Sequence, residues 1–218
     1  MTAPIISAIV PYHSPRDTNG MLDTAIWSLM EQTIADRIVI VPVHDEHGRG
    51  EAWTRNEGLR RVVNHGLNSP WTLWLDSDDW AYPDHAETLL NAAVNTGSDY
   101  TYSYFTVHDE WERCRPGEDP LMLFGKAFDP ETPTQTTSTI LVSTNLAYRI
   151  GYRDIDPVRM IPGTGLRYGT DFDFTVRCAR AGARITHVPR RTWAWRIGSH
   201  NTSGIPGHGD AKTLERTV

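Results

Sequence analysis

The chain has 218 residues, 39% hydrophobic and 10% aromatic, with a formal net charge of −6. That is enough apolar material for one domain with a proper core, so disorder throughout is excluded, and the acidic balance argues against a nucleic-acid binder that neutralises phosphates. The lone, widely spaced Cys114 and Cys178 exclude a disulfide framework or zinc knuckle, and no stretch reaches the ~18 apolar residues of a membrane span; a cytoplasmic protein without an integral membrane segment is expected.

Ile5 to Val10 is an apolar run ending in Pro11 and Tyr12, which suits a buried strand. Met21 to Gln32 then places Leu22, Ile26, Leu29 and Met30 on one helical face. Arg37 to Val43 reads as a second strand whose Pro42 implies an end or an edge. Glu51 to His65 returns to helical spacing, with Leu59, Val62 and Val63 apolar and Gly66 as the stop. Trp71 to Leu75 is a third strand running directly into Asp76-Ser77-Asp78-Asp79. Asp84 is placed to cap a helix through Ala93, and Asp99 to Val107 alternates as a strand does.

This alternation of strand and helix predicts an α/β sandwich with a largely parallel sheet, in which ligands bind beyond the carboxyl ends of the strands. Pro11-Tyr12, His44-Asp45 and Asp76 to Asp79 all fall at such ends, so they describe one cleft. Further on, Ser138 to Val142 reads as a strand, Asp171 to Ala181 as a helix and Arg184 to Val188 as a strand. Cys114 through Pro133 mixes proline, glycine and charge and is expected to form an excursion from the sheet. The small-residue tail from Gly198 to Gly209 is read as a mobile lid.

Asp76, Asp78 and Asp79 place three carboxylates within four residues, and they repel one another unless something positive sits among them. A hard divalent cation with oxygen ligands answers that need. An Asp-x-Asp at a strand end can give one carboxylate to the metal and aim the other at a ribose hydroxyl, while the metal bridges two phosphates. A solvated loop with capping aspartates is the plainer alternative.

Several segments, in order, resemble family 2 glycosyltransferases of the GT-A fold. They are Ile9-Val10-Pro11-Tyr12, Arg49-Gly50 with Arg55-Asn56-Glu57-Gly58-Leu59, Leu75-Asp76-Ser77-Asp78-Asp79 with Pro83, and Gly169-Thr170-Asp171-Phe172-Asp173-Phe174. Ala179 to Arg184 and Asn201-Thr202-Ser203 complete a likeness that covers roughly residues 5 to 203. It implies one GT-A domain, an α/β/α sandwich whose nucleotide-sugar half is about residues 1–110 and whose acceptor half is about 111–218.

By the same resemblance, Pro11, Tyr12, Asp45, Arg55 and Asp76 would bind the nucleotide sugar, with the Tyr12 ring on the base and the Arg55 guanidinium on the diphosphate. Asp78 and His200 would hold Mn2+ or Mg2+, with Asp79 supporting, and Asp171 would be the catalytic base. His44 stands where the family shows a second Asp, and Thr170 where it shows Glu; His44 and His47 are read as structural. The implied reaction is an inverting, non-processive transfer from a nucleotide diphosphate sugar, UDP by family habit, to a glycan, small-molecule or protein hydroxyl. The processive members' Gln-x-x-Arg-Trp is absent, since Arg190-Arg191-Thr192-Trp193 differs from it. A phosphatase of the haloacid-dehalogenase type would want its Asp loop on the first strand and a later lysine, whereas lysine stands only at Lys126 and Lys212. A sugar-phosphate nucleotidyltransferase and a non-catalytic nucleotide-sugar-binding module remain the alternatives, and oligomeric state stays open.

Overall fold

The first apolar run forms β1 (Ile6–Tyr12), every residue of which from Ile6 to Val10 is buried. Two parallel neighbours flank it, β2 (Ile38–His44) and β3 (Trp71–Trp74). A computed structural model describes residues 5–13, 20–67, 69–109, 139–155 and 169–197. Within these, one seven-stranded sheet has the order β2-β1-β3-β6-β5-β7-β4, where β4 is Trp80–Ala81, β5 Tyr100–Asp109, β6 Ile140–Ser143 and β7 Ile185–Ile197. β6 runs antiparallel between β3 and β5, and β4 runs antiparallel on the far edge; the other five strands share one direction.

Side-chain alternation along the strands feeds two cores. Ile6, Ala8 and Val10 of β1 with Leu73 of β3 face one side, where α1 (Met21–Met30) brings Ala25 and Leu29 and α3 (His85–Thr96) brings Ala86, Leu89 and Ala93. Ile9, Trp74, Tyr100 and Val142 face the other. There α2 (Glu51–Asn64) brings Leu59 and Val62, α4 (Thr144–Ile150) brings Leu146 and Ala147, and α5 (Thr170–Arg180) brings Phe174 and Cys178. The expected α/β/α sandwich is therefore present.

The details depart from expectation where tertiary contact outweighs local pattern. Met30 and Val63 are exposed, and the inner face of α2 instead carries Arg55 and Gly58. Gly58 lets α2 lie close on β1, since a Cβ there would stand 2.5 Å from the Ile9 Cγ2. Pro42 is accommodated because β2 is the edge strand, with Pro42 opposite Val10 and its side chain exposed. Asp84 precedes α3 but makes no capping bond; its carboxylate pairs with Arg190. β7 continues nine residues past Val188 to Ile197, because register shifts opposite Ser103, Tyr104 and Phe105 absorb Pro189 and its neighbours. The expected excursion of residues 114–133 and the tail from Gly198 onward lie outside the described residues.

Candidate active site

The acidic loop follows β3 at the carboxyl end of the parallel strands. Ligand oxygens of Asp76, Asp78 and Asp79 all lie within 4.8 Å of one another. Asp79 is buried; its main-chain N–H donates to the Asp76 carbonyl at 3.1 Å and its Oδ1 accepts the Arg196 N–H from β7 at 2.9 Å. Burial, then the charges of Asp78 and Asp76, hold its proton affinity well above the ordinary carboxylate range, against the pull of Arg196. Asp76 and Asp78 are partly open to solvent. Three close hard-oxygen ligands, one of them kept basic by burial and by its neighbours' charge, fit a divalent cation.

Arg55 projects from the inner face of α2 and is only 1% exposed. Its Nε and Nη2 donate to Glu51 Oε1 at 3.0 and 2.7 Å, and Nη2 also donates to Asp76 Oδ1 at 2.8 Å. The same Nη2 stands 3.3 Å from Asp171 Oδ1. Nη1 is buried without an acceptor, and the Tyr152 ring lies 5.3 Å from Cζ. Thus α2, the acidic loop and the first turn of α5 converge on one guanidinium.

Asp171 lies in the first turn of α5, after Gly169 in the N-cap position, so its carboxylate does not cap the helix. Its side chain is 27% exposed, and its Oδ1 has no hydrogen-bond donor. Burial raises its pKa to about 8, with Arg55 opposing and Glu51 and Asp76 adding to the rise. Beneath it, Phe174 stacks on Tyr152 at 4.2 Å and 8°, and Trp74 meets both rings. Tyr152 is itself fixed by Asn56, whose amide donates to the Tyr152 carbonyl at 2.9 Å and accepts its N–H at 2.7 Å.

At the tips of β1 and β2, Tyr12 and His44, paired across the two strands, stack at 4.7 Å and 6°. Pro11 sits beside them opposite Val43. Asp45 is buried, and its two carboxylate oxygens accept the N–H groups of Arg49 and Gly50, each at 2.8 Å. Burial raises its pKa, but those donors, together with the charge of His13 and the His47 N–H, outweigh burial and the net displacement is downward. Its carboxylate therefore shapes the turn into α2.

The structure gathers Asp76 and Asp171 around Arg55, with Asp78 beside Asp76 in the acidic loop and Pro11, Tyr12 and Asp45 at neighbouring strand tips; His200 lies outside the described residues. Sequence reading missed Glu51, Tyr152 and the His44 stack. Glu51 carried a signal, the i,i+4 spacing to Arg55; the other two depend on register and long-range packing.

A mostly parallel sheet covered by helices on both faces, with an acidic loop after its third strand, is the arrangement of GT-A glycosyltransferases. The glycosyl transferase family 2 model matches residues 25–153, more than half of the chain, which belongs to that family and carries its glycosyltransferase domain. Similar solved structures include S. aureus TarS 1–349 in complex with UDP, at 14% identity and TM-score 0.61, covering 88% of this chain and 60% of that one. The same protein in complex with UDP-GlcNAc gives 14% and 0.60, covering 88% and 58%. The mannosyltransferase PcManGT from Pyrobaculum calidifontis, in complex with GDP-Man and Mn2+, gives 16% and 0.62, covering 92% and 59%. This chain thus spans about three fifths of those chains, and at such identity the likeness concerns the fold. No curated protein matches the chain. Among the described residues, no helix is long and apolar enough to cross a membrane.

Proposed function

We propose that the protein transfers a sugar from a nucleoside-diphosphate donor, UDP by preference, to an acceptor hydroxyl, with inversion and one transfer per encounter. The observation that carries this reading is the shared Arg55 Nη2, 2.8 Å from Asp76 and 3.3 Å from Asp171. It links the acidic loop to a separate aspartate whose Oδ1 accepts no hydrogen bond, which supports one shared site. Neighbours of the same fold bind UDP, UDP-GlcNAc and GDP-Man, which supports a nucleotide-sugar donor.

In this reading Tyr12 offers a flat ring to the base, Pro11 and Asp45 shape the neighbouring strand tips, and Asp76 faces the ribose. Asp78, with Asp79 in support and His200 from the tail, would hold Mn2+ or Mg2+. The cation, when bound, offsets charge gathering on the departing nucleoside diphosphate. Asp171 takes the acceptor hydroxyl's proton as its oxygen attacks the anomeric carbon from the face opposite the leaving group. Burial makes that carboxylate a stronger base than a solvated one, while Arg55 keeps its ionised form accessible.

The test is release of nucleoside diphosphate from a panel of UDP, GDP and dTDP sugars with Mn2+, with the anomeric configuration of the product read by NMR. Asp78→Ala and excess chelator should each remove transfer, and Asp171→Asn should slow it ~10²- to 10⁴-fold. Full turnover in purified Asp171→Asn refutes the assigned base, and transfer unaffected by chelator refutes the cation.

A further inference from the structure

The family resemblance implies a diphosphate contact for Arg55; the geometry points elsewhere. Resting on Asp171 as the base, we propose that Arg55 is a positioning residue that orients the Asp171 carboxylate and sets it in register with Asp76 on the donor side.

Three observations carry this. First, the guanidinium sits inside the protein: Arg55 is 1% exposed, with the Tyr152 ring 5.3 Å from its Cζ. Second, its charge is already more than matched by Glu51, Asp76 and Asp171, the carboxylates that surround Nη2 at 2.7, 2.8 and 3.3 Å. One positive charge already facing two carboxylates at short distance and a third carboxyl at 3.3 Å is a poor attractor for a further anion. Third, Nη2 has only two hydrogens. Glu51 and Asp76 take them at short distance, and Asp171 at 3.3 Å receives charge attraction without a hydrogen bond. The base is held in place by charge, its buried Oδ1 turned to the guanidinium, while the side chain as a whole stays 27% exposed to meet an acceptor hydroxyl. Arginine suits this task because it does not give up its own proton.

The scaffold around the pair favours a fixed arrangement. Thr175 Oγ1 holds the Asp171 carbonyl at 2.9 Å, and Phe174 on the same helix stacks on Tyr152, the ring facing the guanidinium. Moving Arg55 would therefore shift Asp171 relative to Asp76 and leave the Tyr12 end of the cleft unchanged.

The experiment compares Arg55→Lys, Asp171→Asn and the double variant. Donor kcat and KM are measured, together with calorimetric binding of UDP, GDP and dTDP, each with Mn2+. Arg55→Lys keeps the charge but loses the fork, so kcat should fall ~30- to 100-fold, as a base misplaced by about 1 Å does. Donor KM and nucleotide Kd should stay within ~3-fold, and the double variant should be no slower than Asp171→Asn alone, since the two act as one unit. A nucleotide Kd raised ~10-fold or more with kcat retained, or multiplicative losses in the double variant, overturns the proposal in favour of a diphosphate contact through Nη1. Full activity of Asp171→Asn would instead sink the base assignment on which the proposal rests. If Arg55→Lys does not fold, Glu51→Ala carries the test: the freed hydrogen of Nη2 turns to Asp171, weakens it as a base and slows transfer ~10-fold at unchanged nucleotide Kd. An unaltered kcat in that variant overturns the proposal.

Discussion

Asp171→Asn should make the metal-free protein more stable while it slows transfer severely. In the folded chain the Asp171 carboxyl is raised from 3.8 to about 8, chiefly by burial. Its folded pKa lies above its unfolded one, so the associated stability is complete below pH 4 and is lost as pH climbs towards 8. About four pH units at about 1.4 kcal/mol each set a ceiling of about 6 kcal/mol. The side chain is 27% exposed and water screens part of that, so we expect about 2–3 kcal/mol by pH 8. Asparagine has the same shape, cannot ionise, and keeps an oxygen towards Arg55. Thermal unfolding in chelator at pH 4.5, 6 and 8 should show the two proteins diverging with pH. By pH 8 the variant should melt ~5–10 °C higher, given ~2–4 °C per kcal/mol for a chain of this size. Parallel curves, or a variant less stable at pH 8, would refute the claim that the fold strains to keep this carboxylate where it is.

Two further outcomes follow from buried groups away from the chemistry. His85 is fully buried, its Nδ1 2.6 Å from Thr192 Oγ1, and burial drives its pKa from 6.5 to about 3 against the attraction of Asp84. Stability tied to it should be lost as pH falls from 6.5 to 3, up to about 5 kcal/mol, and His85→Gln should flatten that limb of a urea-denaturation series. Gly58→Ala should cost ~1–3 kcal/mol in urea denaturation, because its methyl would stand 2.5 Å from Ile9 Cγ2. Combining it with Ile9→Ala should cost less than the sum of the two, and strict additivity would contradict the clash.

The parts of this fold visible in the sequence are those whose cause is local. The runs of β1 and β3 are apolar because both faces of those strands are covered, and Pro42 marks an edge because it has no N–H to give a ladder. Asp76, Asp78 and Asp79 could be placed at a strand tip because Trp71 to Leu75 precedes them. What stayed hidden has distant causes. β4 is two residues long and exists through its pairing with Trp193 and Ala194. α4 is only seven residues, too short for a periodic pattern. The clearest case is Arg55: helical periodicity sends an arginine outward, yet this one is buried because Asp76 and Asp171, far off in the chain, balance its charge.

That same charge arrangement explains why the site is costly to the fold. Glu51, Asp76 and Asp171 surround one guanidinium, while Asp78 and Asp79 crowd the adjoining loop. Arg55 is sufficient to gather the first three but not to neutralise them, and Asp79 and Asp171 both hold their protons more tightly than ordinary carboxylates. Hydrophobic packing of Trp74, Tyr152 and Phe174 under the hollow offsets that repulsion and keeps its floor in place. The acid excess is thus built on a rigid apolar base, which both the proposed base and the proposed cation site would need.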